Sequence, residues 1–358
     1  MNLRQNKKFV SVFSLVLLIA TFLFFLTQSV KANTIVVDDP SGDDVDNGLC
    51  SIVEAIINHN NADQSGSIDC AAGVGESDVI SIETDITLDS VFSLDGNSTG
   101  YGIPSTNDII INGNSHTIER DELAASFRIF TFSGFGDVEI NDLTIKGGDV
   151  DGSGAGLGGG AYMSSLDVVE FNNVVFEDNI ATEGGAIYIS VDSSPGITLN
   201  LNNTTFTNNS VSADGGAIRL KNNLNNLNVS INGSTFTSNS STEDGGAIYF
   251  ESLGGSGTSL NIDGSTFDSN ESSSIGGAIY GFNIAELYTS ETDFIGNNAT
   301  TKGSNIYIEN GIDISISQST FSDNPTGTGY GTYFIGSDVV FSESFFVPLM
   351  SAQYLLKT

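Results

Sequence analysis

The chain has 358 residues, of which 44 are acidic and 11 basic, and its formal net charge is −33. Four basic residues and no acid precede residue 33, so 7 basic and 44 acidic residues remain after it, a net charge of −37. A surface this acidic repels nucleic acid and anionic lipid, which argues against a direct role on DNA or RNA. Apolar residues form 39% of the chain, and 41 glycines with abundant Asn, Ser and Thr indicate a β protein with many turns.

Residues 1–32 have the pattern of a secretory signal peptide. A basic segment at 4–8 precedes an apolar run from Phe9 to Leu26, and residues 30–32 suit a cleavage site before Asn33. An uncleaved membrane anchor is the alternative, because the apolar run could just span a bilayer. The sequence therefore predicts an exported protein.

Residues 33–74 contain both cysteines of the chain, Cys50 and Cys70. In an oxidising compartment we expect one disulfide between them, worth about 3 kcal/mol for a loop of this size; two free thiols are the alternative. Zinc is disfavoured, since His59 is the only nearby histidine. Residues 50–60 are predicted to form a short helix that covers the open end of the first coil.

Residues 108–146 resemble earlier coils, each a strand followed by a turn. Several other patterns in the chain could bear on chemistry. Gly154-x-Gly156-x-x-Gly159 matches the dinucleotide fingerprint in letters only, without its strand–loop–helix context. Asp149 and Asp151 are the candidate calcium ligands, with Asp38-Asp39 and Asp43-Asp44 as further acidic pairs; solvated acidic loops are the favoured alternative. Lys146, close to Asp149 and Asp151 in sequence, is the one local base-plus-acid cluster.

From about residue 159 the chain repeats with a spacing of 27 to 31 residues between equivalent phenylalanines. Gly-Gly-Ala occurs at 159–161, 184–186, 215–217, 245–247 and 276–278, with a degenerate copy at 303–305. Phe-x-x-Asn occurs at 176–179, 206–209, 236–239, 267–270, 294–297 and 321–324. Period-two alternation before each Phe and after each Gly pair predicts strands, and Asn-Gly or Asp-Gly predicts tight turns between them.

A unit this short cannot bury its own apolar side, whereas stacked copies pair equivalent strands in parallel and align like residues into ladders. The sequence therefore predicts an all-β, right-handed parallel β-helix over 75–324, with a C-terminal coil or cap at 325–358 that could be truncated. A leucine-rich repeat is the rival solenoid, but its Leu-x-x-Leu-x-Leu signature is missing. Phe and Ile ladders are expected in the core, and Asn ladders at the turns.

The strand after each Gly pair has one apolar phase, which should face the core. The other phase includes Lys221, Glu251 and Glu309, so it should face solvent. This second phase also carries the candidate binding residues Tyr188, Arg219, Tyr249, Tyr280 and Tyr307, one per coil. An exposed aromatic track for a glycan or a protein is one interpretation, and tyrosines that merely stabilise the sheet are the other.

Gly-Gly-Ala-Ile with Phe-x-x-Asn once per coil resembles the repeat of the chlamydial polymorphic outer membrane proteins. Cys50-Ser51-Ile52-Val53-Glu54-Ala55 resembles the Cys-Ser-Leu-Arg-Glu-Ala motif that opens many secreted β-helix proteins, with Val53 in place of the Arg. The resemblance implies a β-helix and export, with 33–74 as the N-terminal cap.

The function predicted is a non-catalytic surface or secreted protein, adhesin-like or structural, without a cofactor, whose partner is a glycan or a cell-surface protein. A polysaccharide-active lyase or hydrolase on the same scaffold is the alternative, since a fold alone does not decide function.

Overall fold

The computed structural model describes residues 33–42, 47–74, 78–91, 101–105, 108–134, 136–152, 156–192, 196–223, 226–253, 257–322, 331–346 and 354–357. By compactness the chain divides into Met1–Ala32 and Asn33–Thr358, and every described residue lies in the second unit. The predicted signal peptide, Asp43-Asp44, Gly154 and Asn324 lie outside the described residues. No helix among the described residues is long and apolar enough to cross a membrane.

The predicted all-β parallel β-helix with a short N-terminal helix is confirmed. All pairings between described strands are parallel. The strands are numbered along the chain and form three sheets. The described residues of sheet A comprise β1 (Thr34–Val37), β2 (Asp78–Ile82), β3 (Ile86–Leu88), β5 (Ile109–Arg120), β7 (Val138–Lys146), β9 (Val168–Asn172), β10 (Val175–Glu177), β13 (Gly196–Asn202), β14 (Thr205–Thr207), β17 (Asn226–Asn232), β18 (Thr235–Thr237), β21 (Thr258–Asp263), β22 (Thr266–Asp268), β25 (Glu286–Ser290), β26 (Asp293–Ile295), β29 (Asp313–Ser317), β30 (Thr320–Ser322), β32 (Asp338–Ser342) and β33 (Phe345–Phe346).

Two further sheets complete each coil. The described part of sheet B comprises β4 (Tyr101–Ser105), β6 (Phe130–Gly134), β8 (Ala161–Ser164), β12 (Ile187–Val191), β16 (Ile218–Asn222), β20 (Ile248–Ser252), β24 (Ile279–Phe282), β28 (Ile306–Glu309), β31 (Thr332–Ile335) and β34 (Tyr354–Lys357). Sheet C has two-residue strands at the corner, namely β11 (Ile180–Ala181), β15 (Ser210–Val211), β19 (Ser240–Ser241), β23 (Glu271–Ser272) and β27 (Asn298–Ala299). Strand pairing thus continues beyond residue 324, although the Gly-Gly-Ala and Phe-x-x-Asn marks fade there.

Ladders of equivalent residues fill the interior, as predicted. The rings of Phe206, Phe236 and Phe267 stack with centroids 4.6 Å apart at each step and are completely buried. Asn209 and Asn239, also completely buried, each donate through Nδ2 to Oδ1 of the asparagine one coil on, at 2.9 Å. Satisfied amides of this kind can remain in an apolar core, because each finds its partner in the neighbouring coil.

The Gly-Gly pair has a physical cause at each position. The first glycine takes a positive φ, for example 71° at Gly215 and 67° at Gly245, which disfavours residues with a side chain. A Cβ on the second, at Gly216 or Gly246, would collide with the carbonyl oxygen of the next coil. The Gly-Gly repeat therefore marks the point in each coil where the backbones of two adjacent coils are in contact.

The N-terminal helix α1 (Ile52–Asn61) begins with a capping box: Ser51 accepts from the backbone of Glu54, and Glu54 accepts from the backbone of Ser51. Val53, at the position of the motif's Arg, is completely buried. Cys50 and Cys70 form the predicted disulfide, with Cα atoms 4.8 Å apart. The helix contacts β1 and β2, and its role as the cap of the first coil stays a prediction.

Candidate functional site

The tyrosine ladder, as we call it, occupies one position on successive strands of sheet B. Each member is the second residue of its strand, and the strand register aligns them from coil to coil: Tyr162, Tyr188, Arg219, Tyr249, Tyr280, Tyr307 and Tyr333. Adjacent rings contact one another, with centroid distances from 4.5 Å for the tilted pair Tyr249–Tyr280 to 5.8 Å for the stacked pair Tyr162–Tyr188. The structure therefore brings all five predicted binding residues into one row.

The prediction that this row is exposed is wrong. Tyr188 is 4% exposed, Arg219 5%, Tyr249 9%, Tyr280 7% and Tyr307 6%. Tyr280 and Tyr307 each lie between two tyrosine rings, and Tyr249 lies between Arg219 and Tyr280, so residues of the adjacent coils cover the ring faces. Tyr249, Tyr280, Tyr307 and Tyr333 lie apart from the main core, in an apolar cluster with Ile275, Phe282 and Ile335.

Arg219 replaces a tyrosine at one rung and remains charged there. Its guanidinium carbon lies 3.8 Å from the ring centroid of Tyr249, a cation–π contact. Nε is 3.2 Å from a carboxylate oxygen of Glu183, and Nη2 is 2.6 Å from one of Glu251. Burial opposes the charge, but Glu251, Tyr249 and Glu183 outweigh it, and the pKa of Arg219 is raised.

Two acids beside the ladder were not indicated as site residues by the sequence. Asp214 and Asp244 precede consecutive Gly pairs, and the backbone N–H of Asp244 donates to Asp214 Oδ1 at 3.1 Å. Burial is the main cause that raises the pKa of Asp214, to about 6, and the neighbouring carboxylates of Asp244 and Glu243 add to it. Burial likewise raises the pKa of Tyr307 to about 12. The sequence feature that could have identified Asp214 and Asp244 is an acidic residue directly before Gly-Gly-Ala.

Lys146 does not form the base-plus-acid cluster suggested by its sequence neighbours. Its Nζ lies 3.5 Å from Glu177 and 3.5 Å from Asp178, on the next coil, rather than beside Asp149 and Asp151. Desolvation lowers the pKa of Lys146, but the two carboxylates outweigh it and the net shift is upward. A protonated lysine is not a base, so the catalytic role considered for Lys146 is unsupported.

The candidate calcium ligands lie in one turn but have protein partners. Asp149 Oδ1 accepts from the backbone of Asp151, and its Oδ2 accepts from Ser126 at 3.2 Å. Asp151 Oδ1 accepts from Thr182 and Ser212, on the next two coils. Within the described ranges, no group of three or more His, Cys, Asp or Glu side chains could hold a metal ion. The pair lacks the ligand number that calcium prefers.

Comparison with known proteins agrees with the repeat geometry. Residues 173–190, 203–221, 233–251 and 264–281 each match the Chlamydia polymorphic membrane protein (Chlamydia_PMP) repeat. Each match runs from the turn before the Phe strand through Gly-Gly-Ala into sheet B. No curated protein and no solved structure matches the chain. This repeat family is associated with the chlamydial outer membrane surface, which is consistent with a cell-surface location.

Proposed function

We propose that the chain is an exported β-helix protein that acts at the cell surface or after secretion as an adhesin-like binding or structural module. The observation that carries the proposal is the match of four consecutive coils to a repeat associated with bacterial surface proteins. The acidic composition, with a net charge of −33, argues against polyanionic partners such as nucleic acid. Within this proposal residues 1–32 are a signal peptide cleaved before Asn33.

The proposed partner is a glycan or a cell-surface protein. Burial of Tyr188, Arg219, Tyr249, Tyr280 and Tyr307 favours the structural role for these side chains, in which stacked rings hold neighbouring coils together. Any contact of the ladder with a partner would be restricted to ring edges. The broad outer surface of sheet A is the better place for a partner to bind.

A polysaccharide-active lyase or hydrolase is the alternative function. It requires a base beside the substrate or a pair of carboxylates for acid–base work. The ion pairs of Lys146 with Glu177 and Asp178 speak against that lysine as the base. Incubation with acidic polysaccharides, followed by ultraviolet detection of unsaturated products, tests the lyase directly.

The experiment that tests the proposal follows the full chain in a bacterial host. We expect the protein to be recovered in the medium or to be removed from intact cells by protease, with Asn33 as its N-terminal residue. Coated onto beads, the released protein should bind cells or a glycan array. Retention in the cytoplasm would contradict the proposal, and release without binding to either target would contradict the adhesin-like binding role.

A further inference from the structure

A row of threonines runs along the outward face of the short strands of sheet A, opposite the buried Phe ladder. Strand register aligns its members from coil to coil, interrupted by one valine, Val175. We call it the threonine track; its members are Thr117, Thr144, Thr205, Thr235 and Thr266, with Thr207 and Thr237 beside them on β14 and β18. All are half-buried at the sheet surface.

The two coils in the middle of the track contain uncharged stretches of sequence, which is unusual in this chain, and the flanking coils place Glu177 beside Thr207 and Asp268 beside Thr237. Residues 193–213 and 222–242 contain no Asp, Glu, Lys or Arg, although the whole chain has a net charge of −33. Within the described residues, no protein group hydrogen-bonds to the hydroxyls of Thr205, Thr207, Thr235 or Thr237. Their donors and acceptors are therefore free for a ligand.

The neighbouring long strands extend the same chemistry. Asn202 and Asn232 lie on the outer side of β13 and β17, and Asn232 Nδ2 donates to Asn202 Oδ1 at 3.0 Å. Asn202 in turn donates to Asn172 Oδ1 at 2.9 Å. Asn202 Nδ2 also donates to a carboxylate oxygen of Glu170 at 3.2 Å, so both of its N–H groups are used. Asn232 uses one N–H in this outer chain of hydrogen bonds and keeps the other at the surface.

A concavity lies at the N-terminal end of the track. An open depression of about 310 Å³ is lined by Asp85, Ile86, Thr117, Glu119, Thr144, Lys146 and Glu177. Thr117 and Thr144 belong to both features, so the depression leads directly onto the track. Carboxylates surround this end, since Asp85, Glu119 and Glu177 share it with the single ammonium group of Lys146.

We propose that the threonine track binds one chain of an uncharged polysaccharide, which lies across the strands with one end in the depression. Equivalent hydroxyls repeat at the strand spacing of about 4.8 Å, a distance close to the advance of one pyranose unit in an extended glycan. Thr and Asn side chains match the hydroxyl groups of neutral sugars as both donors and acceptors. The carboxylates at the depression repel acidic polysaccharides. This inference rests on the proposed function, because it names the ligand class of the binding module.

The test measures binding of the released full chain to neutral oligosaccharides of increasing length by calorimetry, with polygalacturonate as the acidic probe. We expect binding to at least one neutral series, tighter for longer oligomers until the track is filled, and little change with salt. The double variant T205V/T235V should bind about tenfold more weakly, because two ordinary hydrogen bonds are lost. Valine keeps the shape and the strand preference of threonine, so we expect the melting temperature to stay the same.

The matched control is T320V, in the same row on β30 but separated from the last track residue, Thr266, by Asp293. It should leave binding unchanged. Equal binding by wild type and T205V/T235V, or binding to polygalacturonate alone, would overturn the track. A regular row of surface hydroxyls could also bind ice, so retention of the protein on ice crystals without binding to any glycan would overturn the proposal too. If cells are bound but no neutral glycan is, the track is wrong and the proposed function stands; if neither is bound, the track and the proposed binding role both fail.

Discussion

Replacement of Phe236 by alanine tests whether the Phe ladder stabilises the solenoid. Phe236 is completely buried and stacks on Phe206 and Phe267, with centroids 4.6 Å away on each side. The substitution removes the ring, both stacking contacts and the atoms that fill the space between two coils. We expect a loss of about 3–5 kcal/mol in the free energy of unfolding, the usual range for a Phe→Ala change in a packed core.

The assay is an equilibrium urea titration of wild type and variant, followed by far-ultraviolet circular dichroism. Thr237→Ala is the control: its side chain is adjacent in sequence, points outward and is only half-buried. It should cost less than about 0.5 kcal/mol. A loss of only a few tenths of a kcal/mol for Phe236→Ala, with an unchanged slope, would refute the reasoning, because it would mean that neighbouring coils close the space at little cost.

Three further outcomes are expected. Alkylation without reductant should modify neither Cys50 nor Cys70, and their double replacement by serine should cost about 3 kcal/mol; two alkylated thiols would contradict the disulfide. Tyr249→Ser with Tyr280→Ser should lose about 2 kcal/mol per ring and leave surface binding intact, whereas lost binding with intact stability would restore the aromatic track. The pKa of Asp214 is raised to about 6 in the folded state, so its contribution to stability improves as the pH falls through 6 and is complete below the unfolded value near 4. Asp214→Asn should remove that gain from melting temperatures measured between pH 7 and pH 4, and unchanged pH dependence would contradict the assignment.

The structure of one coil could be predicted from local sequence features, namely the turn residues and the period-two alternation. Asn203, Gly233 and Gly264 take positive φ in the turns where Asn-Asn, Asn-Gly and Asp-Gly occur, because only such residues adopt that conformation at low cost. Period-two alternation likewise identified the core positions: Ile248 and Phe250 are completely buried. Turn formation and alternation both depend on residues that are close together in sequence, so the sequence alone could predict them.

The sequence by itself determined the solenoid, its corner glycines, its internal Phe and Asn ladders and the face on which each tyrosine lies. The tertiary structure alone decided that the tyrosine face is closed, since burial there comes from rings and turns one coil away. It also decided that Lys146 pairs with Glu177 and Asp178 on the next coil rather than with its sequence neighbours. Alternation specifies the side of a strand, but the surroundings of a side chain in a solenoid are supplied by residues about one repeat distant.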